Sequence, residues 1–262
     1  MILKNIKEFV KLWKEKIAKR VAQLNRPVEL AIVQVGNVEA SNRYVRNKVK
    51  DCEEVGVIAT VYKAAEDISQ EQLISDVKQM GEAYDGIMVQ LPLPPHIDAR
   101  RVAVEAIDPA KDVDGFLEWS KFQPCTPLGI MKYLEYCGYN VDGKNVVIIG
   151  RSDIVGKPLA KMMIDANATV TLCHSHTSTE SLLKHMMSAD LIVCAVGKAG
   201  FIKASDWNEV PIIDVGINFV DGKLVGDVES SLEDTNVTPV PGGVGLLTRC
   251  ALLENVINTI EE

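Results

Sequence analysis

The sequence predicts an α/β protein of two lobes, and three observations support this fold class. Short apolar runs such as VELAIVQVG and NVVIIG alternate with segments in which apolar residues recur every three or four positions. Alternating patterns of this kind are typical of buried parallel strands connected by helices. The alternation occurs in two successive series of comparable length, divided near residue 118. A chain of 262 residues is long enough for two domains that each bury a core.

The first series, predicted to be residues 1–117, begins with an amphipathic helix. In MILKNIKEFVKLWKEKIAKRVAQL, apolar residues recur at helical spacing and lysines occupy the other face. A basic helix of this kind could also lie on a membrane or act as a transit peptide. The segment has one Arg, no Ser and no small-residue cleavage site, and it leads directly into a strand, which favours a packed helix. No apolar run is long enough to span a bilayer.

Three strands and three helices then alternate. The strands are predicted in VELAIVQVG, VIATVYKAA and DGIMVQLPLP, and the helices in ASNRYVRNKVKDCEEVG, SQEQLISDVKQMGEA and DARRVAVEAI. Ser69 suits the N-cap of the second of these helices.

The second series, residues 118–244, opens with a helix in PCTPLGIMKYLEYCG. Thr126 suits its N-cap and Gly138 its C-terminal stop. Strands are predicted in NVVIIG, ATVTLC, ADLIVCAVG and VPIIDVG, with helices after Gly156 and near SLLKHMM. A final helix, from about Gly245 to Ile260, is apolar along one side, and we expect it to return to the first lobe.

Charge and cysteine content exclude some classes of function. A formal charge of −8 argues against nucleic acid as a partner, because phosphate binding needs a basic surface. The six cysteines form no CxxC pair and no secretory leader precedes them, which favours a reducing compartment. The four histidines show no metal-ligand spacing, so no metal site is expected.

The turn NVVIIGRSDIVGKPLA in the second lobe resembles a dinucleotide-binding turn. Gly150, Ser152 and Gly156 lie between a strand and a helix, although Ser replaces the middle glycine of the usual fingerprint and the last gap is one residue longer. The N–H groups at the helix start would face a pyrophosphate. The next strand ends in ATVTLCHSHT without the acid that holds a bare ribose, which favours NADP. Arg151 and Ser175 could hold the 2′-phosphate, with help from His174.

Candidate polar residues of the first lobe lie where strands end and along one helix. Gln90 closes the strand of DGIMVQLPLPP, and KDVDG places Asp112 and Asp114 in a turn. Tyr44 and Lys48 are four residues apart, so they share a helix face. Each residue alone has an ordinary structural interpretation, as a strand edge, a turn former or a solvated lysine.

Taken together, these segments resemble the bifunctional methylenetetrahydrofolate dehydrogenase/cyclohydrolase family of the bacterial FolD type. The resemblance is carried, in the family's order, by SNRYVRNKVK, VQLPLPP, KDVDG, PCTPLG, GRSDIVGKPLA, ATVTLCHSHT, IDVGIN and TPVPGGVG. It implies an N-terminal catalytic domain, a Rossmann-like NADP-binding domain and a folate cleft between the lobes. It also implies a cytoplasmic homodimer that acts on tetrahydrofolate derivatives, with no nucleic-acid or membrane partner.

The resemblance also implies roles for individual positions. Lys48 matches the catalytic lysine, Tyr44 the aromatic residue beside the folate, and Gln90 the glutamine that supports the lysine. Asp114 matches the acid that binds the pterin, and Leu91 belongs with the substrate-binding positions. The cofactor-contacting positions are matched by Gly150, Arg151, Ser152, Ser175 and Ile217. A loop lining the folate site is matched by Pro241, Gly242, Gly243 and Val244.

The chemistry of such an enzyme predicts the charge state of Lys48. Removal of hydride from methylenetetrahydrofolate leaves a methenyl cation, which a charged lysine would oppose. We therefore expect burial and the nearby positive charge to lower the pKa of Lys48, so that its amine is largely neutral in the ternary complex. A neutral amine can then accept a proton from the water that attacks the cation.

Some segments depart from the family's pattern. LLTRC follows PGGVG where relatives usually have PMT, and VESSLEDT lacks the expected aromatic, acid-rich pattern. The alternatives are a dehydrogenase without useful cyclohydrolase activity, which could use NAD, and another two-lobe NADP oxidoreductase, such as a shikimate dehydrogenase-like enzyme. The last alternative is a non-catalytic NADP-binding regulatory protein. An anion-clamping Arg pair, expected for the shikimate-type enzyme, is not evident in the first lobe.

Overall fold

Eight α-helices and nine strands make up most of the regular structure of the described chain. The structure is a computed structural model that describes residues 3, 5–206, 209–229, 231 and 236–261. The helices are α1 Ile6–Val21, α2 Glu39–Val55, α3 Gln70–Ala83, α4 Ala99–Ala106, α5 Cys125–Tyr136, α6 Gly156–Asp165, α7 Thr179–Met187 and α8 Val244–Glu261. The strands are β1 Glu29–Val35, β2 Ile58–Ala64, β3 Gly86–Val89, β4 Asn145–Ile149, β5 Thr169–Cys173, β6 Leu191–Cys194, β7 Ile212–Asp214, β8 Asn218–Val220 and β9 Lys223–Val225.

The chain divides into two units. One comprises Leu12–Cys125 together with the chain from Arg249 onward, and we call it the lysine unit because it contains Lys48. The other comprises Thr126–Thr248 and the described residues up to Lys11, and we call it the glycine-turn unit after the turn at Gly150. The C-terminal helix therefore returns to the first lobe from Arg249 onward, as the sequence predicts.

A parallel three-stranded sheet in the order β2-β1-β3 forms the centre of the lysine unit. In its register Leu30 is level with both Ala59 and Gly86. The central strand β1 is almost wholly apolar, and its residues Leu30–Val33 are fully buried because they lie between two other strands. β2 is exposed along most of its length. The carboxyl ends of all three strands lie at one edge of the sheet, where ligand crevices of α/β sheets form.

The glycine-turn unit contains a parallel four-stranded sheet in the order β5-β4-β6-β7. Ile149 at the end of β4 is level with Cys173 on β5 and Cys194 on β6. An antiparallel hairpin of β8 and β9 follows β7, and the sequence analysis did not predict it. Its strands have only three residues each, too few for a period-two pattern to be recognised.

Several local predictions can be compared directly with the structure. Ser69 caps α3, since its side chain accepts a hydrogen bond from the backbone N–H of Gln72, and Gly138 adopts φ +70° just after α5. The prediction of Thr126 as an N-cap was wrong. α5 already begins at Cys125, and the Thr126 hydroxyl lies 2.9 Å from that of Thr248 instead. Most of VESSLEDT lies outside the described residues.

Of the helices described, none combines the length and the apolar character needed to cross a bilayer.

Candidate active site

Lys48 lies on the buried face of α2. Only 8% of Lys48 is exposed, although lysine is seldom buried. The burial follows from the helical period, because Val45, Cys52 and Val55 on the same side of α2 are core residues. Tyr44 is half-buried one turn earlier. The side of α2 that carries Tyr44 and Lys48 therefore faces the interior of the protein.

Gln90 holds the Lys48 amine at the end of β3. Lys48 Nζ donates to Gln90 Oε1 at 3.0 Å and lies 3.3 Å from Met88 Sδ. The Gln90 backbone N–H donates to the carbonyl of Val33 on β1, and its Nε2 donates to the carbonyl of Leu91 at 2.7 Å. Both ends of the Gln90 side chain are thus occupied, so its oxygen is held facing the amine.

The surroundings of Lys48 disfavour the ammonium form. Burial lowers the pKa of Lys48 from its ordinary value, whereas the carboxylate of Asp114 acts in the opposite direction. The guanidinium of Arg249 adds to the lowering. The direction expected from the chemistry is therefore present without any ligand.

The two acids of the KDVDG turn, Asp112 and Asp114, differ in burial and in the groups they act on. Asp112 is fully buried, and it accepts the backbone N–H groups of Phe116 at 3.2 Å and Leu117 at 2.8 Å. Burial raises the pKa of Asp112, and these two N–H groups oppose the rise. Asp112 thereby shapes the turn, while Asp114 is partly exposed and acts electrostatically on Lys48.

A cavity opens beside this turn in the lysine unit. Two of the predicted substrate-binding residues, Leu91 and Asp114, line it together with Met88, the residue that contacts the Lys48 amine. The other lining residues are Val89, Ala99, Ala103, Ile107, Asp112 and Phe116. An apolar cavity with convergent polar groups is the usual form of a small-molecule site. The lysine unit therefore brings Lys48, Gln90, Leu91 and Asp114 into one neighbourhood.

The glycine turn can accept a phosphate group closely. Gly150 follows β4 with φ +119°, and a Cβ at Gly156 would lie 2.0 Å from the carbonyl oxygen of Gly150. Only glycine allows α6 to start this close to the strand. Ser152 Oγ accepts the N–H of Val155 at 3.2 Å and is 3.5 Å from the N of Gly156, which fixes the turn at the start of the helix.

The other cofactor candidates follow the ends of neighbouring strands. Arg151 and Ser175 are exposed and follow β4 and β5, whose ends are level with each other. This sheet edge has the exposed Gly150 turn and no acid at the end of β5, so it fits a dinucleotide with a 2′-phosphate. Ile217, 44% exposed, follows β7, which is separated from β4 by β6.

The predicted PGGV loop groups with the glycine-turn unit and not with Lys48. Gly242 adopts φ +96°, and a Cβ at Gly243 would lie 2.1 Å from the carbonyl oxygen of Pro239. The backbone of this loop therefore requires both glycines.

An acidic residue that the sequence analysis missed organises the loop after β6. Asp227 is fully buried, and its Oδ2 accepts the N–H of Val196 at 2.7 Å and of Gly197 at 2.9 Å. Its Oδ1 accepts the N–H of Lys198 at 2.8 Å and the Nδ2 of Asn218 at 2.9 Å. The only sequence signal was the GD dipeptide, which is also typical of an ordinary turn.

The neighbouring Asp214 links the same region to the end of β7. Its Oδ1 accepts the N–H groups of Gly216 at 2.8 Å and Asp227 at 3.0 Å, and its Oδ2 accepts that of Val228 at 2.9 Å. Burial raises the pKa of Asp214 to about 6, and the backbone N–H groups moderate this rise. Ile217 therefore lies between Gly216 and Asn218, which are both held by these acids. Within the described ranges, no group of three or more potential metal ligands could hold an ion.

Comparisons with known proteins give a consistent result for both units. A family profile described as tetrahydrofolate dehydrogenase/cyclohydrolase, catalytic domain, matches residues 2–114. The NAD(P)-binding domain of the same family matches residues 124–262. A bifunctional protein FolD from Aliarcobacter butzleri is 46% identical over 268 residues, which cover 96% of this chain and 91% of that protein.

Solved structures show the same likeness. The bifunctional FolD enzyme of Campylobacter jejuni is 38% identical with a TM-score of 0.91, covering 98% of this chain and 97% of that one. The Trypanosoma brucei methylenetetrahydrofolate dehydrogenase-cyclohydrolase, solved with NADP cofactor and an inhibitor, is 31% identical with a TM-score of 0.91. It covers 99% of this chain and 97% of that one.

Proposed function

Because the chain belongs to the tetrahydrofolate dehydrogenase/cyclohydrolase family, we propose that it is a bifunctional enzyme of folate one-carbon metabolism. It oxidises 5,10-methylenetetrahydrofolate to 5,10-methenyltetrahydrofolate with NADP, and it then hydrolyses that product to 10-formyltetrahydrofolate. The observation that carries this proposal is the buried Lys48 amine, hydrogen-bonded to Gln90 and within reach of the charge of Asp114.

The two predicted domains bind different ligands. The domain of residues 1–117, completed by the C-terminal helix, binds the folate, and residues 118–244 bind the cofactor. Asp114 accepts two parallel hydrogen bonds from the amino-pyrimidine edge of the pterin. Tyr44 offers a flat face to the aminobenzoate ring. Leu91 and the loop of Pro241, Gly242, Gly243 and Val244 complete the folate contacts.

NADP supplies the acceptor for the hydride when it is bound. Gly150 and Ser152 would hold the pyrophosphate at the start of α6, where the helix dipole favours an anion. Arg151 and Ser175 would bind the 2′-phosphate, and Ile217, exposed after β7, would contact the cofactor. The missing acid at the end of β5 supports NADP over NAD, since no carboxylate there repels the 2′-phosphate.

Lys48 acts as the proton acceptor in the hydrolytic step. A neutral amine takes one proton from the water that attacks the methenyl carbon, and it returns that proton to the ring nitrogen as the carbon–nitrogen bond breaks. The second proton of the water is released to solvent when the formyl carbonyl forms. Gln90 Oε1 can accept a hydrogen bond from the amine in both states, because a neutral amine still carries N–H donors. Burial lowers the pKa of Lys48 before the substrate arrives, which favours the neutral form.

Assembly and location in the cell are inferred as well. We infer a homodimer in the cytoplasm that supplies one-carbon units, for example to purine biosynthesis. Within the described chain, β2 is paired on one side only, with β1, and Ile58 and Val61 on it are 48% and 38% exposed. An exposed edge strand of this kind is a natural surface for pairing with a second copy.

The first experiment follows absorbance during turnover of 5,10-methylenetetrahydrofolate by the wild type and by Lys48→Met, with NADP and with NAD. We expect the wild type to form NADPH without accumulation of methenyl product, and to turn over more slowly with NAD. Lys48→Met should lose hydrolysis by about 100-fold or more, the usual contribution of a general base. Lys50→Met removes an exposed lysine from the same helix and is the matched control.

Two other outcomes would contradict parts of the proposal. Methenyl product that accumulates with the wild type would identify a dehydrogenase without useful hydrolysis. If neither NADPH nor NADH appears, the folate assignment is wrong.

A further inference from the structure

A buried carboxylate lies on α2 one turn after Lys48. Asp51 is 4% exposed, and its Oδ1 accepts a hydrogen bond from Lys14 Nζ at 2.5 Å. Its Oδ2 accepts a second from Arg249 Nε, on α8. Residues three apart on a helix share a face, so Asp51 holds Arg249 on the side of α2 that carries Lys48. All four residues belong to the lysine unit.

The guanidinium of Arg249 is bonded through Nε, and its two terminal nitrogens are not bonded to described residues. Its side chain is 17% exposed. Its charge reaches both Lys48 and Tyr44: it opposes the ammonium form of the first, and it counters the burial that raises the pKa of the Tyr44 phenol. A guanidinium cannot lose its proton at any working pH, so this charge is permanent.

The other titratable groups around Lys48 do not duplicate this effect. Asp114 attracts the ammonium form, as the thiolate forms of Cys125 and Cys52 also would. Burial raises the pKa of the Cys52 thiol to about 12 and that of Cys125 well above its usual value, so both remain neutral thiols. Among the charged groups, Asp114 favours the ammonium form and Arg249 opposes it. Asp51 and Lys14, the other charged residues near this face of α2, are paired with each other.

We propose that Arg249, fixed by Asp51, is a positioning residue whose permanent charge offsets Asp114 and keeps the Lys48 amine in its proton-accepting form. The inference rests on the proposed role of Lys48 as the base in hydrolysis. It assigns a task to the LLTRC segment, in which Arg249 follows Thr248. Asp51 holds Arg249 against the helix that carries Lys48, and Lys14 pairs with the other oxygen of Asp51.

The test measures the pKa of Lys48 directly in the ligand-free protein, by NMR of lysine labelled with ¹³C at Cε. The Lys48 resonance is assigned by its loss in Lys48→Met. We expect Arg249→Met to raise the pKa of Lys48 relative to the wild type, and the charge-conserving Arg249→Lys to leave it near the wild-type value. In turnover, the pH at which hydrolysis becomes active should move upward in Arg249→Met and not in Arg249→Lys.

Arg249→Met could unfold the protein, because it leaves Asp51 poorly paired. The same comparison is therefore also made in a protein that already carries Asp51→Asn. Asp51→Asn and Asp51→Asn/Arg249→Met both lack the buried carboxylate, and the second should have the higher Lys48 pKa. An unchanged Lys48 pKa in the Arg249→Met variants, or an equal rise in Arg249→Lys, would overturn the proposal. Because the titration needs no folate, a wild type without turnover would refute the proposed function separately.

Discussion

At the residue scale, Asp227 shows how one carboxylate can organise a loop. Its two oxygens accept three consecutive backbone N–H groups, from Val196 to Lys198, and the side chain of Asn218. The loop directly follows β6, at the sheet edge proposed to bind NADP. These hydrogen bonds are partly buried, and together they fix the backbone of the loop in one arrangement.

Asp227→Asn should therefore weaken both stability and cofactor binding. The amide can replace only one oxygen as an acceptor, so at least one N–H of the loop loses its partner, at about 1–3 kcal/mol. We expect a lower free energy of unfolding in urea and a higher KM for NADP, with the KM for folate little changed. Asp142→Asn, at an exposed position, removes the same charge as a control. Equal KM values for NADP in the two variants would contradict the prediction.

Relations between residues that are close in the sequence could be predicted, and contacts between residues that are far apart in the sequence could not. Tyr44 and Lys48 share a helix face by spacing alone, and Gln90 ends a recognisable strand. Asp51 and Arg249 are 198 residues apart in the chain, and no periodic pattern connects them. Thr126 shows the opposite error, because a good local N-cap signal was overridden when its hydroxyl paired with Thr248.

At the scale of elements, the start of α3 depends on its cap. Ser69 Oγ accepts the N–H of Gln72 at 3.2 Å, and the helix then packs Leu73 and Val77 into the core. A helix start leaves N–H groups without intrahelical partners, and a serine at the N-cap satisfies one of them.

Ser69→Ala should lower the free energy of unfolding by about 1 kcal/mol, the usual value of an N-cap serine. Ser69→Thr keeps the hydroxyl and should lose much less. Urea denaturation of the three proteins measures the difference, and activity should stay unchanged because α3 contributes none of the proposed site residues. A loss in Ser69→Thr as large as in Ser69→Ala would show that the hydroxyl is not the cause.

At the scale of the whole molecule, the open edge of β2 is where the proposed homodimer can be tested. The backbone N–H of Ile58 donates to the carbonyl of Val28, so the N–H groups at even positions of β2 point toward β1. Those of Ala59, Val61 and Lys63 then point to the open edge, since backbone groups alternate along a strand.

Val61→Pro removes an outward N–H without touching the β1–β2 ladder. Proline is tolerated on the open side of an edge strand. If two copies pair through β2, we expect this variant to become monomeric in sedimentation velocity while its circular dichroism stays like that of the wild type. Val61→Thr keeps the N–H and should stay dimeric. A dimer that persists in Val61→Pro places the interface elsewhere, and a monomeric wild type removes the dimer altogether.

The return of the last helix also determines when, during synthesis, the lysine unit is completed. On α8, Asn255 Nδ2 donates to the carbonyls of Val113 at 2.9 Å and Gln123 at 3.0 Å, and Arg249 pairs with Asp51. The ribosome makes the partners of these residues well before it makes α8. Lys48 therefore emerges early into a unit that lacks α8, and the surroundings of Lys48 are complete only after α8 has been made.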